Sequence, residues 1–232
     1  MAVFLDVDYS GPHWNKFRLE PATDRDKARI AAGKAKLKAD RTAFLVDKDK
    51  DVPSHAFGAQ ERPRNPEFLP HALRLVKGRK LPDYDHCFSG GSTGYANAPL
   101  VSEAMKDLIE AHRSTADGWQ FFPIEIVGKD DTALTTYHAW CVHRVRDAID
   151  EASTGVEPVS GGSSPLTHYL SYTGPRVQER LMLHKSVIEG LNAWIDNRFF
   201  PGSYFFVSDK LFAALQDAGF SGFAAQSKWS EA

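Results

Sequence analysis

Apolar and polar residues alternate at the start of the chain, and this period-2 pattern predicts a first strand over residues 2–9. Residues 24–40 change to a helical composition. Asp24 is placed to cap this helix, Ala28, Ala31, Ala32 and Ala35 suit it, and only Ile30 and Leu37 are available for burial. Such a polar helix is expected to lie exposed on the surface. A short strand is predicted over 43–47. Residues 48–66 hold Pro53, Pro63 and Pro66 among many charges and predict an irregular connection, followed by a short helix from Phe68 to Lys77 ended by Gly78.

The second half is more strongly patterned. Leu100 to His112 predicts a helix capped by Ser102, with Glu103 at its positive end and Met105, Leu108 and Ile109 on one face. An apolar strand follows over Trp119 to Val127, interrupted by Pro123. The charged turn Gly128 to Asp131 then leads into an alternating strand from Ala133 to Val145. Asp147 to Ala152 predicts a short helical piece, and 153–165, rich in Gly and Ser, a flexible loop. Further strands are predicted at His168 to Tyr172, Glu179 to Val187, Ala193 to Ile195 and Tyr204 to Val207. Ser208 caps a last helix, Asp209 to Ala218, which Gly219 ends in the left-handed conformation. Strands and helices mix without regular alternation, so the expected class is α+β, with a mixed or antiparallel sheet and a few peripheral helices. The segment starting Val101-Ser-Glu echoes the one starting Val207-Ser-Asp, each an extended residue, a serine cap, an acid and an amphipathic helix. Shared capping physics accounts for that likeness without a structural repeat.

The chain has 232 residues, 42% hydrophobic and 25% charged, which predicts an ordinary globular protein able to bury a core without disulfides or a structural metal. One α+β domain over 1–232 is expected, with a basic N-terminal part over 1–82 as a peripheral layer on a core shared with 83–232. No stretch approaches the roughly 18 apolar residues of a membrane span. The opening residues lack the basic and apolar segments of a signal peptide. The two cysteines, Cys87 and Cys141, make no disulfide scaffold, so a cytoplasmic protein with free thiols is expected. Charge is unevenly divided. Residues 1–80 carry 17 Lys and Arg against 11 Asp and Glu, and residues 81–232 carry 11 against 19. That balance disfavours nucleic acid as a ligand and leaves an acidic half that either is simply solvated or faces a basic partner.

Candidate chemistry fails its structural tests one motif at a time. Gly90-Gly-Ser92-Thr-Gly94 has the spacing of a nucleophile elbow, but a polar Asp83 to Cys87 precedes it and Pro99 blocks the helix that must follow. The same glycines match neither a dinucleotide fingerprint nor a P-loop. Asp47-Lys-Asp49-Lys-Asp51 begins like a calcium loop, but Val52 stands where glycine is needed and Gly58 where glutamate is needed. His86, Cys87, His138, Cys141 and His143 are candidate metal ligands. On a strand, however, Tyr137, Ala139, Cys141 and His143 face one way and His138, Trp140 and Val142 the other, so His138 and Cys141 do not converge. The carboxylate pairs Asp6/Asp8, Asp130/Asp131 and Asp150/Glu151 have no third partner. The phenylalanine pairs 121–122, 199–200 and 205–206 read mainly as core. No catalytic, cofactor-binding or metal-binding residue is assigned, which shifts weight to a binding function. Two alternatives stay open: a small hydrolase-like enzyme using Ser92, and a metal-binding module using Cys87, Cys141 and His143.

Four ordered segments carry a resemblance. They are Pro99 to Ile109; Phe122-Pro-Ile-Glu-Ile126; Tyr137 to Asp150, ending Arg-Asp-Ala-Ile-Asp; and Phe206 to Phe223, a serine-capped helix followed by Gly-Phe-Ser-Gly. In these, residues 83–232 resemble an immunity-protein family of bacterial polymorphic toxin systems, immunity family eleven, and the opening strand also resembles the way such chains begin. Residues 1–82 resemble it poorly. The resemblance implies a cytoplasmic, non-enzymatic protein that binds and blocks a cognate toxin domain, with neither nucleic acid nor membrane as partner. It supplies no catalytic residue, no toxin identity and no oligomeric state.

Overall fold

The computed structural model describes residues 2–7, 18–46, 63–77, 85–87, 98–150, 182–196 and 205–231. Their strands are β1 (Ala2–Val7), β2 (Arg18–Pro21), β3 (Ala72–Lys77), β4 (His86–Cys87), β5 (Leu100–Val101), β6 (Trp119–Val127), β7 (Ala133–Val142), β8 (Val145–Arg146), β9 (Met182–Leu183), β10 (Ala193–Asp196), β11 (Phe205–Ser208) and β12 (Phe223–Glu231). The helices are α1 (Asp24–Val46), α2 (Glu103–Ala111), α3 (Lys185–Ile188) and α4 (Asp209–Asp217), with a 3-10 turn at Pro66–Phe68. The fold is α+β, as expected, with its strands divided between two six-stranded sheets. The first sheet runs β8-β10-β11-β1-β12-β9 and the second β2-β3-β6-β7-β5-β4.

Several local expectations are corrected. Phe68 to Lys77 is not a helix: after the 3-10 turn, Leu73 and Leu75 alternate into the core as β3, beside β2 and β6, and this burial overrides helix propensity. No strand forms at 43–46, because α1 continues to Val46 with no proline to stop it. Its cap is Thr23 rather than Asp24: the Thr23 hydroxyl accepts the Asp26 N–H at 3.1 Å, and Asp24 is already the first helical residue. Residues 147–150 are not helical. Ile149 bridges to Leu183 and the Asp150 N–H donates to the Met182 carbonyl. Of the strand expected at Glu179 to Val187, residues 179–181 lie outside the described residues, Met182–Leu183 is extended, and Lys185–Ile188 is the short helix α3. β7 stops at Val142, where the chain crosses at 143–144 into the first sheet and resumes as β8. Pro123 does not interrupt β6. The neighbouring Glu125 N–H points towards β3, donating to His71, so the missing N–H of Pro123 faces the side where β3 has not begun. The expected loop at 153–165 and the strand at 168–172 lie outside the described residues.

The N-terminal part is not only a peripheral layer. β1 is an inner strand of the first sheet, antiparallel to both β11 and β12.

The echo between the serine-capped helices is more than shared capping. β4-β5-α2-β6-β7 and β10-β11-α4-β12-β1 correspond strand for strand in order and direction, and their registers agree up to a β-bulge between Phe4 and Leu5 in the second unit. His86 pairs with Val101 as Ala193 pairs with Val207. Val101 pairs with His138 as Val207 pairs with Val3, and Trp119 with Val142 as Phe223 with Val7. A parallel strand flanks each unit, β3 on β6 and β9 on β12. Each helix cap repeats the bond set: the Ser102 N–H and hydroxyl donate to the carbonyl and side-chain oxygens of Asp85, and those of Ser208 to Asn192. Each unit also braces the other. Asp85 accepts from the N–H and hydroxyl of Ser221, two residues before β12, and Asp117, two residues before β6, accepts from the N–H and side chain of Asn192. The fold is therefore an internal repeat whose second copy takes its central strand from the N-terminal end.

One core cluster lies between the units. Val3, Leu5, Phe205, Val207, Leu211 and Leu215 from one meet Val101, Met105, Ile109, Trp119, Trp140 and Val142 from the other. Trp140 is the aromatic centre, edge-on to Phe205 of the first sheet at 4.5 Å and to Trp119 at 6.2 Å between centroids. Each such pair adds about 0.5–1.5 kcal/mol beyond its area burial. The outer faces have their own clusters, one around Trp194 and Phe206 on the first sheet and one around Leu73, Ile124 and Tyr137 on the second.

Candidate interaction surface

The residues singled out by sequence do not form one site. Ser92 and its glycines, the Asp47 to Asp51 segment, Asp8, Glu151 and the 199–200 phenylalanines lie outside the described residues. His86 and Cys87 form β4, paired with Val101 and Leu100. Alternation along β7 is as expected: Tyr137, Ala139 and Cys141 point into the outer cluster, Trp140 and Val142 into the inner one. Burial pushes the Cys141 thiol up to about 12, with Arg64 opposing, so it is neither a ready nucleophile nor a ready ligand. His143 has left the strand, and its ring lies against Gly118 so closely that a Cβ there would stand 3.0 Å from Cε1. Among the described residues, no three His, Cys, Asp or Glu side chains gather as a metal site. Asp130 and Asp131 shape the β6–β7 turn. The Thr132 hydroxyl and nearby backbone N–H groups hold the Asp130 carboxyl below its usual value, and Asp131, in the left-handed region at φ 64°, pairs with Arg74. The aromatic pairs split across sheets, Phe121 and Phe205 inward, Phe122 and Phe206 outward.

His138, on the inner face of β7, is buried where α2 begins. Its Nε2 lies 2.5 Å from Glu103 Oε2, and Lys106 also pairs with Glu103. Lys106 first and His138 second hold the Glu103 carboxyl below its ordinary range. This polar group marks where the cover over the second sheet stops. Beyond it, the described residues at this end of β6 and β7 are largely exposed. Pro123, Glu125 and Thr136 are exposed, Ala72, Arg74 and Val76 half-buried, and Leu134, at 47%, is the one large apolar side chain among the described residues that is exposed. Leu134 lies at a β-bulge: Ile126 pairs with Thr135 and Val127 with Ala133, so Leu134 is passed over in the ladder. Sequence reasoning missed this patch. Leu134 is in phase with Thr136, His138 and Trp140, but the pattern does not say how far along the strand the cover extends.

Among the described residues, no helix is long and apolar enough to cross a membrane. No curated protein matches the chain. The immunity protein family Imm11 matches residues 58–227, a span that takes in β3 to β11 and most of β12 but leaves out β1, β2 and α1. That match covers well over half of the chain, which therefore belongs to the Imm11 immunity protein family.

Proposed function

We propose that the protein is an immunity protein that neutralises a cognate bacterial toxin domain in the cytoplasm by direct protein–protein contact, without enzymatic activity of its own. Family membership carries this reading. The acidic balance of residues 81–232 supports it as well, because a toxin with a basic active-site cleft would be drawn to that half and associate faster. Effective neutralisation needs tight binding. A nanomolar dissociation constant corresponds to about −12 kcal/mol, usually over roughly 1,600 Å² of buried surface. Residues 1–232 are proposed to act as one unit, a reading supported by the place of β1 inside the first sheet.

The test is a toxicity rescue. The toxin domain encoded beside this gene is expressed in a naive host with and without the protein, and the two are then co-purified. Rescue with a stable complex is the expected result. Rescue without a complex would replace direct binding by enzymatic reversal of the damage, and absence of rescue would overturn the reading.

A further inference from the structure

We draw no further inference here: the strongest candidate, the solvent-facing side of α1, where Arg25 and Lys34 flank the exposed alanines Ala28, Ala31 and Ala35, carries nothing because nothing in the structure shows what covers it.

Discussion

Asp117→Ala removes the carboxylate that ties the turn after α2 to the start of β10. Oδ1 accepts the Asn192 N–H at 2.6 Å and the Ala193 N–H at 3.3 Å. Oδ2 accepts the Ser114 N–H at 2.8 Å and the Asn192 side-chain amide at 3.0 Å. Bonds to a charged acceptor contribute about 1.5–3 kcal/mol each, and their loss leaves the donors unmatched. Asp117 is half-buried, so water replaces part of the set. Counting the two short backbone bonds as the principal loss gives a net destabilisation of about 3 kcal/mol. For a chain of this size that is a fall in melting temperature of about 6–12 °C. In urea, with a slope of about 3 kcal/mol/M, it is a midpoint lower by about 1 M. Asp117→Asn keeps one acceptor but turns the other oxygen into a donor facing donors, so it should fall between wild type and alanine. Asp85, in the same unit, makes the equivalent brace to Ser221 of the other unit, and Asp85→Ala combined with Asp117→Ala should cost the sum of the two singles to within about 0.5 kcal/mol. Urea unfolding followed by far-ultraviolet circular dichroism measures the four variants against wild type. A loss below 1 kcal/mol for Asp117→Ala would refute the assignment of this carboxylate as a brace.

Three further outcomes are expected. Burial alone would raise the Asp26 pKa, but the Thr23 hydroxyl and the His71 and Ala72 N–H groups outweigh it and hold the carboxyl below its ordinary value. The stability it contributes is therefore present above the unfolded carboxylate pKa and lost as pH falls through the lower folded value. Asp26→Ala should cost about 2 kcal/mol at pH 7, with the gap to wild type closing below about pH 4 in acid titrations of the melting temperature. A gap that stays constant down to pH 2 would contradict this. Cys141, with its thiol pushed up to about 12, should stay unmodified by iodoacetamide at pH 8 until the protein unfolds, as read by peptide mass mapping. Trp140→Ala should cost about 4 kcal/mol through the cavity between the sheets. Leu134→Ser, only six residues away, should stay within about 0.5 kcal/mol of wild type, and equal losses at the two positions would show that the cover over β7 extends further than described.

Short-range physics left clear marks in the chain. Ser102 and Ser208 accept the N–H three residues on, and Gly219 has φ 73°, because capping depends only on neighbours in sequence. Alternation along β7 and the inward register of Met105 and Ile109 were legible for the same reason: one buried face imposes a period. The α+β class followed from the mixture of those periods. Long-range pairing decided the rest. Leu73 and Leu75 suit a helix as well as a strand, and only neighbours β2 and β6 make the strand the form that buries them. β12 carries Gln226, Ser227, Lys228 and Ser230, with little periodicity to announce it, and is held in place by pairing with β1 more than 200 residues earlier in the chain. The repeat shows faintly in sequence because its second copy draws its central strand from the opposite end of the chain, which no linear comparison of adjacent segments aligns. The exposed patch at Glu125 and Leu134 was invisible for a related reason. Exposure along β7 is set by where α2 and the other unit stop covering it, and that boundary exists only once the two sheets have packed against each other.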